Sequence, residues 1–215
     1  QISMHTGQFK IAPHDFYFTI GETVGHPTAL SPDCGLRWHY TPPPIFLPAW
    51  PVTKANDAPF SSVTSWWSGW VEFGADSYSN TKRDGFLPFL ALPKHVSQSL
   101  ELSIPAAIGV AEERETFVNQ GWRIKDSLVT ASTPWNYQQY IQNSRGEFSC
   151  ARPSCVRLQD AWISDRTICY LARGKPAIVQ HTGPSRFLPD SAGLFRFQDM
   201  EEAVHCLEAA AADYE

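Results

Sequence analysis

The stretch Ala161-Trp162-Ile163-Ser164-Asp165-Arg166-Thr167-Ile168-Cys169-Tyr170-Leu171-Ala172-Arg173-Gly174-Lys175-Pro176-Ala177-Ile178-Val179-Gln180-His181-Thr182-Gly183 decides the fold. It reads as loop, helix, tight stop, short buried strand, loop. Ser164 or Asp165 suits the helix start, because a short side-chain oxygen accepts from the unpaired first-turn N–H groups. Ile168, Leu171 and Ala172 supply an apolar stripe at helical spacing. Gly174 stands where a helix stops, and Pro176 forbids its continuation. Ala177-Ile178-Val179 is then a short apolar strand, followed by the polar loop from His181 to Arg186. Helix, strand and Gly-containing loop make the repeating unit of an open α/β sheet, where ligands sit outside the carboxyl ends of the strands.

Outward from that stretch the same alternation continues. Ser61–Trp66, Leu100–Ile104, Trp122–Ile124, Glu147–Ala151 and Gly193–Phe197 read as strands. Lys82–Ala91, Ala111–Gln120, a segment opened by Thr133-Pro134, and the end of the chain from Asp199 read as helices. Strands alternating with helices of about 10 residues predict a Rossmann-like, mostly parallel sheet flanked by helices. Ahead of it, Asp15–Ile20 is an aromatic, β-rich run, and residues 26–60 are crowded with proline. Proline excludes regular helix and central strand there. Trp38, Tyr40, Ile45, Phe46, Leu47 and Trp50 are too apolar for a solvated linker, so the segment should lie extended across a packed surface. Residues 1–60 are therefore expected to be the end of an N-terminal domain with its connector, and 61–215 the α/β domain.

Composition narrows the chemistry. The 215 residues are 43% hydrophobic with a net charge of −5. No basic field points to nucleic acid or a membrane surface. No apolar run approaches the ~18 residues of a membrane span. The 5 cysteines form no CxxC pair, which favours a reduced, cytoplasmic setting over a disulfide framework. There is no GxGxxG, no P-loop and no GxSxG elbow. The histidines lack paired-ligand spacing, so no metal is expected.

What remains are two loops at strand ends. The first runs from Ala151 through Arg152 and Arg157 to Ser164-Asp165-Arg166. Arginines offer bidentate donors and a helix start offers backbone N–H groups, the ingredients of a pyrophosphate cradle. Surface arginines beside an ordinary cap would read the same way. The second is His181-Thr182-Gly183, able to donate to a sugar or phosphate or to act as a base. Trp66, Trp67 and Trp70 suggest a stacking wall, although core packing is expected for at least two of them. Glu22, between Gly21 and Gly25, is either a polar anchor facing the cleft or a solvated turn acid. Glu147 is a further candidate at a strand end.

These residues resemble the C-terminal part of a GT-B glycosyltransferase, in the broad family 4-like (group 1) class. The resemblance is to a poorly characterised bacterial set. It is carried by Phe18-Thr19-Ile20-Gly21-Glu22 with Gly25, Thr41-Pro42-Pro43-Pro44, Trp50-Pro51, Gly121-Trp122, and Tyr140-Ile141. It continues through Ser144-Arg145-Gly146-Glu147-Phe148-Ser149, Ser164-Asp165-Arg166, Cys169-Tyr170-Leu171-Ala172, Thr182-Gly183 and Glu201-Glu202-Ala203. The resemblance implies a nucleotide-diphosphate sugar donor, held without metal or other cofactor, and a partner N-terminal domain for an unknown acceptor. Arg152, Ser164, Asp165 and Arg166 would surround the diphosphate, with Thr182 and Gly183 nearby. The sequence also departs from the set. Family 4 members carry two glutamates eight residues apart, where this chain has Ala161 and Cys169, and His181 replaces an aspartate. A non-catalytic domain binding a nucleotide or sugar is the alternative.

Overall fold

The computed structural model describes residues 12–73, 75–106, 111–191 and 193–214. The opening of the 1–60 region, residues 1–11, lies outside them. The strands are β1 (Tyr17–Thr19), β2 (Trp38–Tyr40), β3 (Phe60–Val63), β4 (Trp70–Phe73), β5 (Asp76–Ser79), β6 (Leu100–Ile104), β7 (Arg123–Asp126), β8 (Gly146–Ser149), β9 (Ala177–Gln180) and β10 (Leu194–Phe197). The helices are α1 (Lys82–Phe86), α2 (Ala111–Asn119), α3 (Ser127–Thr130), α4 (Pro134–Gln142), α5 (Pro153–Leu158), α6 (Asp165–Ala172) and α7 (Met200–Ala212).

Six strands form one sheet in the order β10-β9-β8-β3-β6-β7, and every pairing in it is parallel. Ranked along the chain, that is the 3-2-1-4-5-6 order of a doubly wound dinucleotide-type sheet. The fold is Rossmann-like α/β. Strand order reverses between β3 and β8, so chain exits diverge there and leave a crevice above their carboxyl ends.

Side chains alternate across the strands and build two cores. On β9, Ile178 joins a large aromatic cluster with Phe60, Phe89, Phe148 and Phe197, while Ala177 and Val179 join a smaller one with Ile163 and Leu194. The rings of Phe148 and Phe197 stack at 5.1 Å, and Phe89 meets Phe197 edge-on at 5.0 Å.

Several local expectations change. The helix expected over Lys82–Ala91 stops at Phe86 and continues as 3-10 turns at Leu87–Phe89 and Leu92–Lys94. Pro88 and Pro93 remove the amides that an α-helix would need. The Arg152 region, read as loop, contains α5, started by Pro153 and ended by Gln159 in the left-handed region at φ 53°. The Trp67–Phe73 stretch leads into an antiparallel hairpin, β4 with β5. The Pro-rich connector holds β2, which pairs in parallel with β1. It also docks on the sheet domain: Arg173 Nη1 donates to the Pro51 carbonyl at 3.0 Å, and the Thr53 amide donates to the Arg173 carbonyl at 3.2 Å.

Candidate functional site

The crevice between β3 and β8 is a cleft of about 390 Å³ lined by Val63, Thr64, Ser65, Lys82, Tyr137, Arg152, Cys155, Trp162, Ser164, Asp165 and Arg166. They come from one strand end, from helix starts and from the loops between them. Val63 closes β3, Lys82 opens α1, Arg152 caps α5, and Ser164 caps α6. Four of the residues singled out from sequence, Arg152, Ser164, Asp165 and Arg166, thus line one cavity.

Their roles divide sharply. Arg166 is buried, and its guanidinium is turned inward: Nε donates to Glu147 Oε1 at 2.6 Å, Nη1 to the Val63 carbonyl at 2.8 Å, and Nη2 to Ser149 Oγ. One arginine therefore ties α6 to β3 and β8 at the point where the sheet opens. Burial alone would lower its pKa, but the Glu147 carboxylate outweighs this and holds the charge in place. Glu147 is fully buried, with Oε2 unpartnered among the described residues. It supports Arg166 from below. Arg152 is half-buried at the cleft wall and enters no ion pair among the described residues.

The start of α6 is already partly occupied. Ser164 Oγ accepts from the Arg166 amide at 3.3 Å, and the Asp165 carboxylate accepts from the same amide at 2.9 Å. A carboxylate at that point stabilises the helix dipole itself. It also repels a phosphate, so side-chain cations must do most of the work of holding an anion.

Lys82 supplies one that sequence reading missed. It is buried, donates from Nζ to the Cys150 carbonyl, and sits 5.6 Å from the Trp162 ring centroid. Burial first, then the neighbouring Arg166, pushes its pKa down to about 7, against a smaller upward pull from Cys150, Cys155 and Glu147. No local pattern marks Lys82; along the chain it stands 70 residues before Arg152, with β6, β7 and β8 between them. Tyr137 is a further unforeseen wall residue, its phenol pushed well up by burial.

The remaining candidates lie beside the cleft. Thr182 is buried; its carbonyl accepts from the Ala161 amide at 2.7 Å, and its hydroxyl donates to the Trp162 carbonyl. Gly183 has φ +117°, and a Cβ there would fall 2.4 Å from the Gln159 carbonyl oxygen. Both brace the 159–162 loop, whose Gln159 and Ala161 each adopt φ +53°. Non-glycine residues in that region are uncommon and cost energy, so the brace has a purpose. His181 Nδ1 accepts from the Gly183 amide at 3.3 Å. Trp66 is core, edge-on to Phe117 at 5.4 Å and donating to Glu113 Oε2 at 2.6 Å. Trp67 and Trp70 are the exposed pair, so one ring of the three, not two, is core. Glu22 faces neither solvent nor the cleft. It accepts from Ser185 Oγ at 2.6 Å and the Arg186 amide at 2.8 Å, clasping the 19–25 turn to the 185–187 loop.

Among the described residues, no group of three or more His, Cys, Asp or Glu is arranged to hold a metal ion. No helix there is long and apolar enough to cross a membrane.

No protein-family model matches the sequence, and no curated protein matches it. Among solved structures the chain is similar to TarM, with a TM-score of 0.52 over 84% of this chain and 11% sequence identity. The match spans 34% of TarM, about a third of that protein's length. TarM is a glycosyltransferase of the GT-B fold. At such low identity the likeness speaks for architecture and leaves the chemistry to the residues. The chain therefore has a Rossmann-type α/β fold, similar in architecture to about a third of TarM.

Proposed function

We propose that this chain is the donor-binding half of a GT-B glycosyltransferase of the family 4-like class, acting in the cytoplasm. It would take a nucleotide-diphosphate sugar and pass the glycosyl group to an acceptor. The observation that carries this reading is the convergence of Lys82, Arg152 and Arg166 with the start of α6 at the point of strand reversal. Open α/β sheets bind nucleotides there. A basic, partly desolvated cleft stabilises the negative charge that develops on a departing diphosphate, which removes the need for a metal. Within this reading Arg152 and Lys82 contact the phosphates, and Arg166 orders the floor. Asp165, as an acceptor, suits sugar hydroxyls. Thr182 and Gly183 hold Trp162 and its loop in place.

Thermal shift and calorimetric titration with UDP, GDP and UDP-sugars test this on the wild type and on Arg152→Ala. Arg152 is the right probe, because it makes no ion pair among the described residues, whereas Arg166→Ala would also unfold the cleft. The expected result is nucleotide binding that Arg152→Ala weakens by about tenfold, the scale of one charge-assisted contact. No binding of any nucleotide would sink the proposal. The absence of carboxylates at Ala161 and Cys169 favours a second reading, a nucleotide- or sugar-binding domain without transferase activity. Binding without turnover in the presence of acceptors would support it.

A further inference from the structure

Beside the basic cleft lies a larger groove of about 650 Å³, bounded by the β1–β2 segment, the β4 strand and α5. Its apolar walls are Phe18, Ile20, Val24, Val71, Leu158 and Trp162. That volume falls within the roughly 300–1,000 Å³ of small-molecule sites. Phe18 is 62% exposed and Ile20 37%, an apolar surface left open to solvent at the mouth of a cavity.

The groove and the cleft differ in charge. Among the described residues lining the groove there is no lysine or arginine, and the one carboxylate, Asp160, is already engaged. Ser31 Oγ donates to Asp160 Oδ2, and Thr23 Oγ1 to Oδ1 at 3.3 Å. Among the described residues, a phosphate placed here would meet an acid and no lysine or arginine. The cleft holds Lys82, Arg152 and Arg166 instead. Cys155 and Trp162 line both cavities, so they share a wall.

We infer that the groove binds a second, neutral ligand through an aromatic or alicyclic ring, at the same time as an anionic ligand occupies the cleft. On the transferase reading, on which this identification rests, that ring is the body of the acceptor. Apolar walls reward burial of a ring, and a described lining that holds an acid but no lysine or arginine selects against anionic acceptors. The ring-binding site itself does not depend on turnover.

The test uses 2-naphthol as the ring probe and UDP as the anion probe on the full chain, by saturation-transfer NMR and fluorescence titration. Variants are Val71→Arg, on the hairpin, and Phe18→Ala, at an exposed position that leaves folding intact. Wild type should bind 2-naphthol saturably. Each variant should weaken it at least about fivefold, the loss of one good apolar contact, with UDP affinity unchanged. Saturating UDP should leave naphthol affinity within about twofold, as two separate sites require. Absence of saturable naphthol binding, wild-type affinity in both variants, or displacement by UDP would each overturn the inference, the last because the groove would then hold the nucleobase. Failure of UDP alone to bind defeats the donor-cleft reading and leaves the naphthol result standing.

Discussion

Arg166 commits Nε, Nη1 and Nη2 to partners inside the protein. Glu147→Ala would leave that guanidinium buried without its counter-charge. Breaking one partner of a buried pair costs about 3–5 kcal/mol, so urea unfolding should show a loss of that size. Glu147→Gln keeps an acceptor for Nε and should lose less. Lys82 predicts a pH effect. Its folded pKa is about 7, and in the unfolded chain a lysine titrates near about 10.4. Between those values the unfolded state holds a proton that the native state has released. Stability from this group therefore rises with pH across that window. Melting temperatures of wild type and Lys82→Met, followed from about pH 7 to about pH 10, should diverge, with the wild-type slope more positive. The cap, stripe and stop of α6 were legible because they are local signals carried by Ser164, Ile168 and Gly174. The inward turn of Arg166 was not, since it depends on Val63, far back along the chain. Lys82 escaped for the same reason.

At the scale of elements, sequence and structure agree where a segment is long or strongly apolar and part where proline or brevity intervenes. Thr133 caps α4 ahead of Pro134, and Asp199 caps α7, both as their side chains dictate. α5 has only 6 residues, too few to show an apolar period, so its basic N-cap read as loop. The contact between α1 and the end of β8 gives an element-scale prediction. A Cβ on Gly85 would lie 2.1 Å from the Ala151 carbonyl oxygen, which leaves no room for any side chain. Gly85→Ala must push α1 away from the chain that leads to Arg152. Overpacking of this kind costs about 1–3 kcal/mol. It should lower the melting temperature and weaken UDP binding together, because Lys82 opens the same helix. Calorimetry on one preparation reads both. A fall in stability with nucleotide affinity intact would show that α1 position does not shape the cleft.

The whole molecule is a doubly wound sheet with an extended segment fastened over its carboxyl-end face. The alternation of strand and helix made the sheet legible. The β1–β2 pairing was not, because it joins residues on either side of a proline-containing turn and rests on no local pattern. Two carboxylates fasten that segment, and they point opposite ways along the chain. Glu22 reaches from the segment to Ser185 and Arg186, while Asp160 reaches from the sheet domain to Thr23 and Ser31. Their titrations oppose each other. For Glu22, burial pushes the pKa up, but hydrogen bonds from Ser185, Arg186 and Phe187 win and hold it below the ordinary value. For Asp160, burial prevails over the Ser31 and Thr23 hydrogen bonds and raises it. The Glu22 contribution is present above the unfolded carboxyl value near about 4.3 and disappears as pH falls through its lower folded value. The Asp160 penalty instead grows as pH rises from the unfolded value near about 3.9 through its raised one. Glu22→Ala should thus loosen the segment already at neutral pH. Asp160→Asn, which keeps an acceptor and drops the buried charge, should leave it docked. The Thr23 amide, which donates to the Asp160 carbonyl at 3.4 Å, reports docking directly by hydrogen exchange. Its protection should fall about tenfold in Glu22→Ala, the equivalent of about 1.4 kcal/mol of lost clamp, and stay near wild type in Asp160→Asn. Equal exchange in both variants would mean that the segment is held by its apolar contacts alone.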